Sequence, residues 1–155
     1  MMIEKDLKIR KMEGRDLDDL FQLLSDPKVM KYLEPVFSYE RTKEFLNDAG
    51  LSDPPLIYAV EDEEGFCGYV IYHDHGDLCK EIGWVLCPSV WGRGYASQLT
   101  KKLIEKAENE NKDVLLECVP EQKATARIAN EYGFEYQGRS ENLDVYRLYL
   151  NKEEQ

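Results

Sequence analysis

Three groups of residues in this sequence have types and spacings suited to chemistry. The first is the turn Trp91-Gly92-Arg93-Gly94-Tyr95-Ala96-Ser97. Gly92 and Gly94 lack a Cβ, so the backbone there can approach an anion closely. Between Pro88 and Ala107, Arg93, Lys101, Lys102 and Lys106 stand against Glu105 alone, a local net charge of +3 in a chain of net charge −11. A helix that begins after such a turn presents N–H groups without internal partners, and its dipole favours anions at that end. That is the chemistry of a phosphate cradle; a tight strand-to-helix connection is the other reading open at this point. The second group is His73 and His75, which share a face if their segment is extended. A metal pair would need a third ligand at suitable spacing, and turn chemistry accounts for the segment without one, so no metal is expected. The third is Cys67, Cys79, Cys87 and Cys118, which show no C-x-x-C spacing and fall mostly in or at the ends of expected strands. Reduced, half-buried thiols are expected there, not a catalytic nucleophile.

Two other phosphate-binding patterns fail. A dinucleotide fingerprint requires a third glycine, where this chain has Ser97, and places its glycines directly after the strand, where Pro88-Ser89-Val90-Trp91 intervene. A P-loop requires Gly-Lys-Ser/Thr, which this sequence lacks.

The elements around the turn are legible from period. Glu81, Gly83 and Val85 alternate with Ile82, Trp84 and Leu86, a strand signal that Pro88 ends. Tyr95, Leu99, Leu103 and Ala107 recur every four residues and share one helical face. The order is therefore strand, glycine-rich turn, helix. Upstream, 7–12 reads as a first strand with Leu7, Ile9 and Lys11 on one side. Asp16 is expected to cap a helix carrying Leu17, Leu20, Phe21 and Leu24. A short helical turn over 29–33 follows Pro27. Ser38 is an N-cap for a helix over 39–49, ended by Gly50. Strands are expected over 56–60 and 66–72, joined by the acidic run Glu61-Asp62-Glu63-Glu64-Gly65, read as a solvated hairpin turn. Downstream, 114–119 suits a strand buried on both faces. A helix over 122–132 with Gly133 as its C′ residue and strands over 134–139 and 145–150 complete the chain. The sum is a mixed α/β fold of six or seven strands and about four helices.

The bulk numbers agree. A length of 155 residues is most simply one domain, 1–155 with its core at about 7–150, and 33% charged against 43% hydrophobic residues is a soluble balance. The N-terminal stretch has no apolar segment of a signal peptide, and no apolar run approaches the roughly 18 residues of a membrane helix, so a cytoplasmic protein is expected. A net charge of −11 argues against nucleic acid and slightly favours a cationic substrate. Nothing in the sequence fixes an oligomeric state.

The chain resembles the GNAT superfamily of N-acetyltransferases, whose signature Q/R-x-x-G-x-G/A holds the pyrophosphate of acetyl-CoA on backbone amides. Trp91-Gly92-Arg93-Gly94-Tyr95-Ala96 matches, with Trp91 in the place of Gln or Arg. The form is similar to the branch of ribosomal-protein-alanine and polyamine acetyltransferases. That branch also carries N-x-x-S, followed eight residues later by G-F or G-M. Gln122-Lys123-Ala124-Thr125 and then Gly133-Phe134 keep that spacing, with Gln for Asn and Thr for Ser. The resemblance implies a central sheet splayed at the strand before the glycine turn, acetyl-CoA as co-substrate, and a primary amine of a small molecule or a protein N-terminus as acceptor. It places coenzyme binding on Trp84, Val85, Leu86, Gly92, Arg93, Gly94, Tyr95, Ala96, Ser97, Gln122 and Thr125. The amides of Trp84–Leu86 would face the developing oxyanion.

Acetyl transfer also needs a neutral amine, whereas a lysine-like amine has a pKa of about 10.4. The resemblance implies Glu81 as the general base, in an E-I context, and its place on the strand that leads into the turn suits that role. An ordinary strand-edge carboxylate beside Lys80 is the competing reading. The family tyrosine that assists the leaving thiolate falls at Ala129, so Thr125 is the remaining hydroxyl, with helix capping or packing as its alternative. A non-catalytic acyl-CoA-binding sensor or interaction domain is the rival function.

Overall fold

The computed structural model describes residues 6–152. In chain order the elements are β1 (Lys8–Arg10), a 3-10 turn (Gly14–Asp16), α1 (Leu17–Leu24), α2 (Pro27–Met30) and α3 (Tyr39–Phe45), which runs into a π-helical turn (Leu46–Gly50). There follow β2 (Ile57–Asp62), β3 (Gly65–Asp74), β4 (Cys79–Leu86), a 3-10 turn (Pro88–Val90) and α4 (Tyr95–Asn109). The chain closes with β5 (Asp113–Cys118), α5 (Lys123–Glu131), β6 (Glu135–Ser140) and β7 (Leu143–Leu148). The seven strands form one mixed sheet in the order β1-β2-β3-β4-β5-β7-β6. β4 and β5 are the parallel pair, and parallel strands need a crossover, which α4 supplies.

The chain divides into two compact units, one reaching to Ile71 and including Trp84–Ala96, the other comprising Tyr72–Gly83 and the chain from Ser97 onward. In the first, Leu20, Leu23 and Leu24 of α1 are buried with Leu46, Ile57 and Val85, the apolar stripe that holds a short helix in place. Ser38 Oγ accepts the Arg41 N–H at 3.1 Å, the expected cap of α3. Two expectations change here. Asp16 does not cap α1. Its carboxylate accepts the Glu13 N–H at 2.8 Å and takes both Arg10 guanidinium nitrogens, at 2.9 and 2.8 Å. Burial works against that charge, but the Arg10 hydrogen bonds hold the Asp16 carboxyl below its ordinary range. Gly50 closes a π-helical turn and has no left-handed backbone. A Cβ there would lie 3.0 Å from Leu46 Cδ1 and 3.2 Å from Met12 Sδ, so a larger residue would need those side chains to give way by a few tenths of an ångström.

The acidic run is corrected too. Only Glu63 and Glu64 form the turn. Glu61 is on β2 and accepts Arg10 Nε at 3.1 Å, and Asp62 accepts the Tyr95 hydroxyl at 2.7 Å. Opposite Val60, Gly68 sits at φ +139, where a Cβ would come within 2.1 Å of the Val85 carbonyl oxygen. That close approach explains a glycine in mid-strand.

In the second unit β5 is buried as expected, but it begins one residue early, at Asp113. This fully buried carboxylate accepts Arg147 at 2.7 Å and the N–H groups of Leu150 and Asn151 at 2.7 and 2.8 Å. Gly133 takes the left-handed C′ conformation after α5, at φ +81. Glu141 and Asn142, both at positive φ, make the two-residue turn between β6 and β7. The buried face of α4 is the expected one: Tyr95, Leu99, Leu103 and Ala107 are all buried. Other boundaries shift by one to three residues. α2 starts at Pro27 because Asp26 Oδ1 accepts the Lys28 N–H at 2.9 Å and caps it there, which brings the helices to five.

Candidate active site

In the first unit the site begins where β4 loses its neighbour. The ladder to β5 runs from Cys79–Asp113 to Ile82–Leu116. β4 continues through Gly83, Trp84, Val85 and Leu86 beyond it. Past Ile82 the ladder to β5 uses none of the β4 backbone groups, while β3 remains the neighbour on the other edge. The 3-10 turn at Pro88–Val90 then folds the chain back, and Trp91 Nε1 donates to the Leu86 carbonyl at 2.9 Å. The indole thus ties the end of the strand to the start of the glycine turn while half of its surface stays exposed.

Gly92 and Gly94 both lie at positive φ, +77 and +80, and a Cβ at either would meet nothing within 4 Å. The turn is therefore shaped by backbone conformation and opens onto free space. Tyr95 follows at 1% exposure, and its hydroxyl, donating to Asp62, fixes the first residue of α4. Burial pushes the Tyr95 phenol up, and the bond to Asp62 adds to that shift. Arg93 is exposed, and Ala96 is half-buried. No acidic residue occupies the first turn of α4, so nothing there opposes an anion.

The second unit holds the remaining residues. Ser97, in the first turn of α4, meets Tyr132: the phenol donates to the Ser97 carbonyl at 3.0 Å, and the two hydroxyls are 2.9 Å apart. Gln122 Oε1 accepts the Val119 N–H at 3.0 Å and closes the turn between β5 and α5. Thr125 is half-buried in the first turn of α5. Ala129, where the resemblance would put a tyrosine, is fully buried. Glu81 is half-buried on β4, with His73 Nε2 at 3.3 Å and His75 Nδ1 at 3.8 Å. Glu117 shares its sheet face, since Glu81 is registered with Leu115. Burial, then the charge on Glu81, raise the Glu117 carboxyl above its ordinary value, and His75 pulls it back in part.

The structure thus joins Glu81 to both histidines and Ser97 to Tyr132, neither of which the sequence suggested. Hairpin register and a 35-residue separation hide those pairs. Glu117 was masked by its apolar neighbours in VLLECV. Among the described residues no group of three or more His, Cys, Asp or Glu side chains is arranged to hold a metal ion. Cys67 and Cys87 are free thiols that burial pushes up to about 12 and about 11, so both stay protonated at neutral pH. No helix among the described residues is long and apolar enough to cross a membrane.

Residues 6–135 match the acetyltransferase (GNAT) domain family. The chain belongs to the GNAT family of N-acetyltransferases. As a GNAT enzyme it is an acetyltransferase that takes acetyl-CoA as its co-substrate. It is 30% identical over 139 residues to the uncharacterized N-acetyltransferase YnaD of Bacillus subtilis, covering 86% of this chain and 82% of that one. A GNAT-family acetyltransferase from Bacillus anthracis has the same fold, with a TM-score of 0.80 at 28% identity over 95% of this chain and 96% of that one. A spermidine N-acetyltransferase from Vibrio cholerae, in complex with CoA and spermine, matches at TM-score 0.75 and 22% identity, covering 92% and 93% of the two chains. At that identity the likeness is one of fold.

Proposed function

We propose that this GNAT enzyme transfers the acetyl group of acetyl-CoA to a primary amine of a small molecule or of a protein N-terminus, by direct attack of the amine on the thioester. The observation that carries the reading is the glycine turn. Gly92 and Gly94 are at positive φ beside free space, at the N-terminus of a 15-residue helix without acidic residues in its first turn. Such backbone suits the pyrophosphate of the coenzyme. Acetyl-CoA supplies the activated acyl group.

The chain supplies four things. The turn from Gly92 to Ser97, with Arg93, Tyr95 and Ala96, binds the phosphates, and Gln122 shapes the segment that leads into α5. The backbone N–H groups among Trp84, Val85 and Leu86, beyond the β5 ladder, serve as donors to the carbonyl oxygen as it gains charge. Glu81 is the general base that removes a proton from the ammonium. Thr125 offers a hydroxyl to the departing sulfur. The net charge of −11 and the pair of carboxylates Glu81 and Glu117 suit a cationic acceptor. Spermine in the Vibrio cholerae neighbour is an example of that chemistry. We read residues 1–155 as one N-acetyltransferase domain that works in the cytoplasm.

The test is thiol release from acetyl-CoA against a panel holding spermidine, an aminoglycoside, and peptides with free N-termini. Acceptor-dependent release is the expected result. Tight coenzyme binding without release on any amine would instead support a sensor.

A further inference from the structure

The end of β3 and the start of β4 bring one carboxylate against two imidazoles. His73 Nε2 is 3.3 Å from Glu81 Oε2, and His75 Nδ1 is 3.8 Å from Glu81 Oε1. The other ring nitrogen of His73, Nδ1, lies 2.9 Å from the Asp74 carbonyl oxygen. A carbonyl only accepts, so Nδ1 carries a hydrogen and donates it. In the neutral ring that leaves Nε2 without a hydrogen, 3.3 Å from Glu81 Oε2. The His73 side chain is 27% exposed, so a proton on the ring has a way out to water.

The surrounding charges keep this pair distinct. Lys80, next to Glu81 in sequence, is committed to Asp74 at 2.6 Å and Glu110 at 3.8 Å. The neighbouring carboxyl, Glu117, is raised by burial, by Glu81 and by Glu141, and lowered by His75. Two imidazoles therefore face Glu81, and Glu117 shares its sheet face.

We propose that His73 relays the proton that Glu81 collects, so that the dyad, and not the carboxylate alone, deprotonates the acceptor amine. This rests on Glu81 being the base. An N–H bond of the ammonium breaks as an O–H bond forms on Glu81. That O–H bond then breaks as hydrogen bonds to His73 Nε2, leaving the carboxylate restored and the ring an imidazolium. The imidazolium returns one proton to water and keeps the other on Nδ1, held by the Asp74 carbonyl. No electrons are exchanged, and the only co-reactant is water. His73 touches no reacting atom; it is a positioning residue that acts through Glu81.

The experiment uses the full chain with 15N-labelled histidine. Long-range 1H–15N NMR at about pH 8, where most imidazoles are neutral, reads each ring tautomer without needing an acceptor. His73 is expected with hydrogen on Nδ1 and Nε2 bare, in wild type and in Glu81→Gln; hydrogen on Nε2 overturns the relay. Turnover on the amine identified by the acceptor panel then separates relay from base. His73→Ala is expected to lose about tenfold or more in turnover with CoA affinity unchanged, and added imidazole should restore it saturably. Glu81→Gln should not respond to imidazole. Full turnover in His73→Ala beside a deficient Glu81→Gln overturns the relay and leaves the base in place. Full turnover in both removes the base as well. A deficient His73→Ala that imidazole does not restore makes His73 a packing residue and overturns the relay.

Discussion

The glycine turn and the Glu81 cluster are built on opposite plans. On the proposed reading, the backbone is the functional group in the turn. Its side chains are used to hold it: the Tyr95 hydroxyl on Asp62, the Trp91 indole on the Leu86 carbonyl. On the same reading the side chains are the functional groups in the cluster, and the backbone sets their register. A carboxylate stands between imidazoles at 3.3 and 3.8 Å, with a second carboxyl on the same face. The two plans respond to different injuries. A backbone site is damaged by a change of shape, a side-chain site by a change of charge at constant shape.

The largest effect expected is therefore on turnover, from a substitution that leaves shape alone. Glu81→Gln should lower turnover by about a hundredfold or more, the scale of a lost general base, while CoA affinity holds. Turnover within about threefold of wild type across roughly pH 6–9 would return Glu81 to an ordinary strand carboxylate. Next comes Gly94→Val, which adds a branched side chain at φ +80 and carries no charge. Coenzyme affinity should fall at least tenfold, about 1.4 kcal/mol, with the folded state retained in circular dichroism. Thermal unfolding and CoA titration of Tyr132→Phe check a smaller effect. Loss of the donation to the Ser97 carbonyl should cost about 1 kcal/mol of stability and weaken coenzyme binding by a few-fold at most. The smallest change is expected from Thr125→Val, which keeps the side-chain shape and removes its hydroxyl. Turnover should drop by a few-fold without a change in affinity; unchanged turnover makes Thr125 structural.

What the sequence revealed follows the same division. Backbone features are local and were readable. The α4 face came from a period of four, the cap at Ser38 from one hydroxyl before a helix, and the C′ role of Gly133 from its place after an apolar stretch. The β4–α4–β5 order was readable because β4 and α4 are periodic and β5 lies in a short apolar run. Side-chain partnerships were not, because a fold chooses them. Glu61 and Asp62 sit in an acidic run that looks solvated, yet their partners Arg10 and Tyr95 lie 51 and 33 residues away. Asp16 has the type and place of a helix cap, but the bidentate Arg10 guanidinium competes for its carboxylate and turns it back onto Glu13. Gly50 closes its helical turn without a left-handed backbone, in tight contact with Leu46 and Met12, which the sequence does not show. His73 and His75 were read as turn residues, since only the pairing of β3 with β4 shows that both reach Glu81. In the candidate site the glycine turn was legible as local structure, and the neighbours of Glu81 were hidden.

The central claim is that coenzyme binding belongs to the backbone turn and proton removal to the carboxylate. Calorimetric titration of CoA into wild type, Gly94→Val and Glu81→Gln, side by side, tests it most directly. The account predicts wild-type affinity in Glu81→Gln and at least a tenfold loss, about 1.4 kcal/mol, in a folded Gly94→Val. Equal affinities in all three proteins, or a loss confined to Glu81→Gln, would contradict it.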